Sequence, residues 1–260
     1  GHYLIGIDAG NTSSKVVIFD ADGDIVSIAS TPSLHYKRRG EGFEEFDVDE
    51  LWSLISTCIK TAITQANISA ADIKGIGVTS FGNGVVIVGK NGETIAPGVF
   101  SQDHRADDII SMYQESGAYD KINSIVKGTL FAGEPGPIIR WYKEHDPEVY
   151  DKIGGILMFK DYIMFRLTGV FATDMNCFGG SFMIDMDTMD YSRELMKLYG
   201  IEEVYDALPK LAGEPSEIIG QVSREAAALT GLAEGTPVVA GMMDILASLV
   251  GAGATDDGVY

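Results

Sequence analysis

Residues 5–15 read IGIDAGNTSSK: an apolar strand ends on a carboxylate, turns through Gly, Asn, Thr and two serines, and continues into a second apolar strand, VVIFDADG. Gly, Asn, Thr and Ser are what a hairpin connection requires, because they accept positive φ or bond to their own backbone. The same residues also suit a seat for phosphate built from backbone N–H groups and hydroxyls. In that case Lys15 is the only basic side chain, and Asp8 recruits the divalent cation that accompanies a nucleotide. Both readings stand on the stretch alone.

Downstream, DIVSIAST follows the DADGD turn as a third strand, so the first thirty residues read as an antiparallel meander. The period then changes. In DVDELWSLISTCIKTAITQAN, Asp47 can cap a helix with Glu50 three residues on, and Leu51, Leu54, Ile55, Ile59 and Ile63 share one face. IKGIGVTSFG predicts a buried strand and VVIVGKNGETIAPGV a hairpin about Asn91-Gly92. Helices are expected over ADDIISMYQESG, GPIIRWYKEH, KDYIMFRLTG and REAAALTGL, strands over GGILMF and TPVVAGM, and a last helix begins in MDILASLVGAG. Residues 172–210 read as irregular, with Cys177 in a loop. Antiparallel strands followed by helix–strand units predict one α/β domain with a mixed sheet and helices on both faces.

Composition narrows the function classes. The chain has 260 residues, 45% hydrophobic and 22% charged, with a formal charge of −19. Such a surface repels nucleic acid and anionic membranes. The one compact basic cluster, HYKRRGEG at 35–42, runs at once into EGFEEFDVDE and reads as a self-neutralised loop. No apolar run approaches a membrane span and no signal segment opens the chain, so the cytoplasm is the expected location. Two cysteines, Cys58 and Cys177, make neither a disulfide framework nor a zinc site.

In open α/β sheets, ligands gather at the carboxyl ends of strands. Four segments deliver polar groups there: Asp8 with the turn Gly10, Asn11, Thr12 and Ser13; SFGNG with Gly82 and Asn83; FSQDHRAD with Asp103 and Arg105; and Asp244 after TPVVAG. Each has a plain alternative. Asp244 can be a helix cap, Asp103 with Arg105 a local ion pair, and Gly82 to Gly84 a bulge.

Taken in order, the four segments resemble the FGGY family of carbohydrate kinases, and the resemblance extends over essentially the whole chain. The family's opening D-x-G-T-x-S is matched by DAGNTSSK, and its G-Q-x-H-G-like sugar segment by SFGNG. W-x-D-x-R is matched by SQDHR, the LTG helix end by FRLTG, and T-D by Thr173-Asp174. The closing G-x-x-D-x-x-x-x-x-x-G-A-G is matched residue for residue by GMMDILASLVGAG. Asn83 stands where relatives often have His, and Ser101 where they have Trp. GPIIRWYKEHDPEVYDKIG and LTGLAEGTPVVAG most resemble the L-xylulose kinase branch.

The resemblance implies a ribonuclease H-like, actin-like ATPase fold and ATP-dependent phosphorylation of a primary hydroxyl on a ketopentose or related polyol. In that scheme Asp244 is the general base, Asp8 holds Mg²⁺, Gly82, Asn83, Asp103 and Arg105 contact the sugar, and Gly10, Asn11, Thr12, Ser13 and Lys15 face the phosphates. The partners implied are a small sugar and ATP, with a homodimer admitted. The implied division is 1–255 as the N-terminal, sugar-binding domain and 256–260 as the start of an ATP-binding domain, which leaves the isolated chain inactive. A non-catalytic sugar-binding module, an actin-like ATPase fragment and a purely structural domain are the competing readings.

Overall fold

Ile5, Ile7 and Ala9 on one strand and Val16 and Ile18 on the next are buried while their neighbours are not, the two-residue period of a half-buried hairpin. The computed structural model describes residues 1–254. In chain order these form β1 (Tyr3–Ala9), β2 (Ser14–Phe19), β3 (Ile25–Ser30), β4 (Tyr36–Lys37), β5 (Glu45–Phe46), α1 (Val48–Ala66), β6 (Ile73–Ser80), β7 (Val86–Val88) and β8 (Gly98–Val99). There follow α2 (Asp107–Ser116), α3 (Ala118–Val126), α4 (Pro135–His145), α5 (Pro147–Tyr150), β9 (Gly155–Leu157), α6 (Phe159–Thr168), β10 (Ala172–Asp174), α7 (Met175–Gly180) and α8 (Arg193–Tyr199). The last elements are β11 (Lys210–Ala212), β12 (Ile218–Gln221), α9 (Arg224–Thr230), β13 (Pro237–Val239), β14 (Met242–Met243) and α10 (Asp244–Gly251).

The main sheet runs β12-β13-β6-β1-β2-β3, with β14 also on β6. The opening meander is antiparallel, whereas β1, β13 and β14 all run parallel to β6. Helices α1, α6 and α9 cover one face, closing a core around Ile7, Ile18, Leu51, Ile55, Ile59 and Val78. The opposite face carries α10, which packs on β6 and β14. This is the expected mixed sheet with helices on both faces.

A second core, built from α2, α3, α4, α7 and α8, holds Tyr113, Ile122, Ile139, Tyr142, Phe178 and Tyr199. The short strands β7, β8 and β9 form a wall between the two. Val86, Val88 and Leu157 turn into the first core, and Ile87, Val99 and Ile156 into the second. Phe46, Phe100 and Phe159 cluster beside that wall, with Phe46–Phe100 and Phe46–Phe159 ring centroids 4.7 and 4.8 Å apart.

Most expected elements form, including the Asp47 cap, whose Oδ1 accepts from the Asp49 and Glu50 N–H groups. Three expectations need correction. Residues 172–210 are not irregular, since β10, α7, α8 and the start of β11 lie there and Cys177 is buried within α7. Helices of six or seven residues span less than two turns, too little for the 3.6-residue period to show, and their caps mark them instead: Asp174 for α7 and Ser192 for α8. The unforeseen α3 is rich in β-branched residues, which blurs its Ile122 and Val126 stripe. The expected strand TPVVAGM is two strands broken at Gly241. Among the described residues no helix is long and apolar enough to cross a membrane. Residues 256–260, expected to open a following domain, lie outside the described residues.

Candidate active site

Parallel pairing with β6 sets the register of the site. Asp8 lies opposite Thr79, and Thr79 lies opposite Met242, whose carbonyl accepts from Thr79 Oγ1 at 2.7 Å. The break that carries Asp244 to this level is made by Gly241, at φ +68°, where a Cβ would collide with Val78 O. Only glycine serves there. Asp244 then falls at the first position of α10, where its Oδ1 accepts from Ile245 N at 2.7 Å; the N-cap itself is Met243. Partial desolvation, and then repulsion from Asp244, raise the Asp8 carboxyl above its usual range, against an opposing pull from Lys15. The two carboxylates therefore lie near enough to repel one another, although 236 positions separate them in sequence. Gly6, Gly77 and Gly241 leave the adjoining sheet face bare, and a cavity of about 470 Å³ opens there between Asp8, Thr79 and α10.

The Gly10–Ser13 turn joins β1 to β2 beside Asp8. A Cβ on Gly10 would stand 2.6 Å from Ser13 O, so this turn also requires glycine. Thr12 is exposed, and Asn11 Oδ1 is buried without a hydrogen-bond partner. Lys15 pairs across the strands with Asp8. Asp8 and Asp244 supply hard oxygen donors whose negative charge Lys15 offsets only in part, the kind of donor set Mg²⁺ accepts when phosphates complete its shell. No group of three or more metal-ligating side chains exists among the described residues.

The SFGNG loop lies against β14, the strand that leads into Asp244. A Cβ on Gly82 would be 2.7 Å from Met243 Cε, and one on Gly180 equally close. Asn83 takes a left-handed conformation, φ +64°, which Asn tolerates better than most residues. Its backbone N–H donates to Ser181 Oγ at 3.1 Å, and Gly84 N–H donates to Gly133 O at 2.8 Å. These bonds bring the loop against Glu134, which the sequence reading did not single out.

Asp103 and Arg105 have wholly buried side chains. The Arg105 guanidinium donates from Nε to Asp103 Oδ1 at 2.8 Å, from Nη2 to Glu45 Oε1 at 2.7 Å and from Nη1 to Tyr142 Oη at 3.1 Å. It also lies over the adjoining rings of Phe43 and Trp141, 4.7 and 5.1 Å from their centroids. Asp103 Oδ2 accepts from Glu44 N at 2.7 Å. Burial alone would lower the guanidinium's pKa, but Asp103, Tyr142 and Glu45 outweigh it and keep Arg105 charged. The pair thus staples three chain segments together. Ser101, Asp103, Gly133 and Phe131 line a groove of about 390 Å³ over this staple.

A second buried network also escaped sequence reading. Lys160 Nζ, fully enclosed, lies 2.9 Å from Asp174 Oδ1 and 3.2 Å from Asp161 Oδ1, and donates to Ala240 O at 2.6 Å. Desolvation pulls the ammonium down, yet Asp161 and Asp174 hold it above its ordinary value. Ala240 precedes the Gly241 break, so the cation anchors the turn that delivers Asp244. The signal was present in FKDYIMF, where Lys and Asp stand inside an apolar run; a charged pair in that setting is buried and needs partners.

The chain matches the N-terminal domain of the FGGY family of carbohydrate kinases over residues 3–251. It is 36% identical over 258 residues to a probable L-xylulose kinase of Haemophilus influenzae, covering 98% of this chain and 52% of that protein. It is 31% identical over 259 residues to an autoinducer-2 kinase of Enterobacter, covering 98% of this chain and 48% of that protein. The crystal structure of xylulose kinase from Rhodospirillum rubrum superposes with a TM-score of 0.90 at 27% identity, over 99% of this chain and 52% of that one. The chain thus spans about half the length of the curated relatives it matches. From the matched family, the likeness to solved kinases and the carboxylates gathered at the strand ends, the chain belongs to the FGGY family of carbohydrate kinases.

Proposed function

We propose that this chain is the sugar-binding half of an ATP-dependent carbohydrate kinase that phosphorylates a primary hydroxyl of a ketopentose of the L-xylulose type or a related polyol. The observation that supports the reading most is that the ends of parallel strands bring Asp244 near enough to Asp8 for the two carboxylates to repel one another. A sugar hydroxyl is a poor nucleophile at neutral pH. Asp244 accepts its proton as the oxygen attacks the γ-phosphorus, the bond to the bridging oxygen breaks, and ADP leaves.

Asp8 is the residue that would hold Mg²⁺, with Asp244 beside it. When bound, the ion supplies neutralisation of the triphosphate's charge. Gly10, Asn11, Thr12 and Ser13 turn N–H groups and hydroxyls toward the transferred phosphoryl group, with Lys15 adjacent. Asn83 and Gly82 contact the sugar, while Asp103 and Arg105 hold the loop that does so. The likeness to L-xylulose kinases supports the ketopentose assignment.

The test is phosphoryl transfer from ATP by the full-length protein to a panel of pentuloses, hexuloses and polyols, followed by product release of ADP. L-xylulose is expected among the best acceptors. Transfer to none of them would refute the kinase reading.

A further inference from the structure

Glu134 is 1% exposed, and no cation offsets its burial among the described residues; desolvation alone pushes its carboxyl well above the usual range. Tyr199, the nearest phenol to influence it, spends its O–H on Phe182 O at 2.7 Å. What faces the carboxylate is the Asn83 amide. With its nitrogen turned inward, the amide donates to Glu134 Oε2 at 3.0 Å, to Oε1 at 3.2 Å and to Gly180 O at 3.2 Å. The opposite orientation would set an oxygen against three acceptors, so the network assigns this one. A backbone carbonyl can only accept, and Gly180 O therefore enforces the same orientation whether Glu134 is ionised or protonated. Both amide N–H bonds are then consumed inside the protein, and the end of Asn83 left for a ligand is its oxygen.

We infer that Glu134 and Gly180 fix the Asn83 amide so that the sugar site presents an acceptor at this point and selects a hydroxyl there over a carbonyl or carboxylate group. This rests on the reading of Asn83 as a sugar contact. Glu134 is accordingly a positioning residue that acts through Asn83. An amide free to rotate would serve a donor or an acceptor equally, and the buried carboxylate removes that choice.

The test swaps the two side chains in the full-length protein, with KM and kcat for L-xylulose as readouts. Asn83→Asp sets two carboxylates against each other and is expected to raise KM about tenfold or more, with kcat changed little. In Asn83→Asp/Glu134→Gln the amide moves to position 134 and donates to the new carboxylate, whose other oxygen again faces the sugar. Gly180 O then lacks its donor, so the KM loss should be recovered in part. Asn83→Leu, nearly isosteric and unable to accept, should lose affinity in either background, and it serves if Asn83→Asp does not fold. A double swap no better than Asn83→Asp, or an unchanged KM in Asn83→Leu, overturns the inference. A wild-type protein that phosphorylates no sugar overturns the kinase reading itself, and is told apart because the wild type is then silent.

Discussion

Lys160→Met removes a buried cation and keeps most of the stem's volume. In the wild type the ammonium sits within 3.2 Å of two carboxylates and 2.6 Å of Ala240 O. Breaking a buried ion network by deleting one partner costs about 3–5 kcal/mol, because the remaining charge stays desolvated. At about 2.1 cal/mol/K per residue, unfolding this chain carries an entropy of about 0.55 kcal/mol/K, so a loss of about 4 kcal/mol lowers Tm by about 7 °C. The loss also depends on pH. Asp161 is already raised by burial, with Lys160 as the main opposing influence. A carboxylate whose folded pKa is raised favours the folded state below its unfolded pKa, and that stability drains away as pH climbs through the folded value. Lys160 itself is raised, so its contribution is complete below the unfolded lysine pKa and lost only in strong alkali. The deficit of Lys160→Met should therefore be small near pH 4, where Asp161 can protonate, and full near pH 8. Differential scanning calorimetry at both values reads it directly. A Tm within about 2 °C of wild type near pH 8, or a deficit independent of pH, would refute the argument.

Four further outcomes are expected. Asp244→Asn in the full-length protein should lower kcat by about 10²–10⁴ with little change in sugar KM, since Asn keeps the size of Asp and removes only the proton acceptor; near-normal steady-state turnover would leave the kinase reading without its base. Asp8→Asn should stabilise the chain near neutral pH, and the gain should vanish below the ordinary carboxylate pKa. The sign follows because a raised Asp8 pKa costs stability only once the group ionises, and thermal melts against pH check it. Gly82→Ala presses a methyl toward Met243 Cε, a flexible end that can yield, so Tm should barely move while sugar KM rises severalfold. Calorimetry on the 260-residue chain should find weak ketopentose binding and no measurable ATP binding; micromolar ATP affinity without sugar would show the nucleotide site to be misplaced.

Sequence periodicity located the main sheet and its helices because their buried stripes run for many residues, as in α1 with Leu51, Ile55 and Ile59. Asp8, Asn83, Asp103, Arg105 and Asp244 stood out instead as polar groups expected at strand ends, in segments whose order resembles that of the FGGY family. What the sequence could not supply was the partner of each. That Arg105 is stapled to Glu45 and Tyr142 depends on contacts spanning 60 and 37 residues, and no local pattern encodes them. Glu134 was hidden for the same reason. In FAGEPG it looks like any acidic turn residue, and only the fold, by burying it against Asn83, makes it distinctive. The short α7 and α8 escaped because a cap and one buried turn leave no period to read.

The wall of β7, β8 and β9 has a consequence for how the chain comes apart. Neither core owns its own boundary: stripping the helices from Ile87, Val99 and Ile156 bares one side of strands whose other side, through Val86, Val88 and Leu157, still seals the sheet core. Losing either core removes the packing that holds those strands flat, so the other loses its lid. Two hydrophobic clusters that would each suffice for a small domain are thereby welded into one cooperative unit, whose calorimetric and van't Hoff enthalpies should coincide. The slowest-exchanging amides are expected in the shared strands, which open only when the whole unit does.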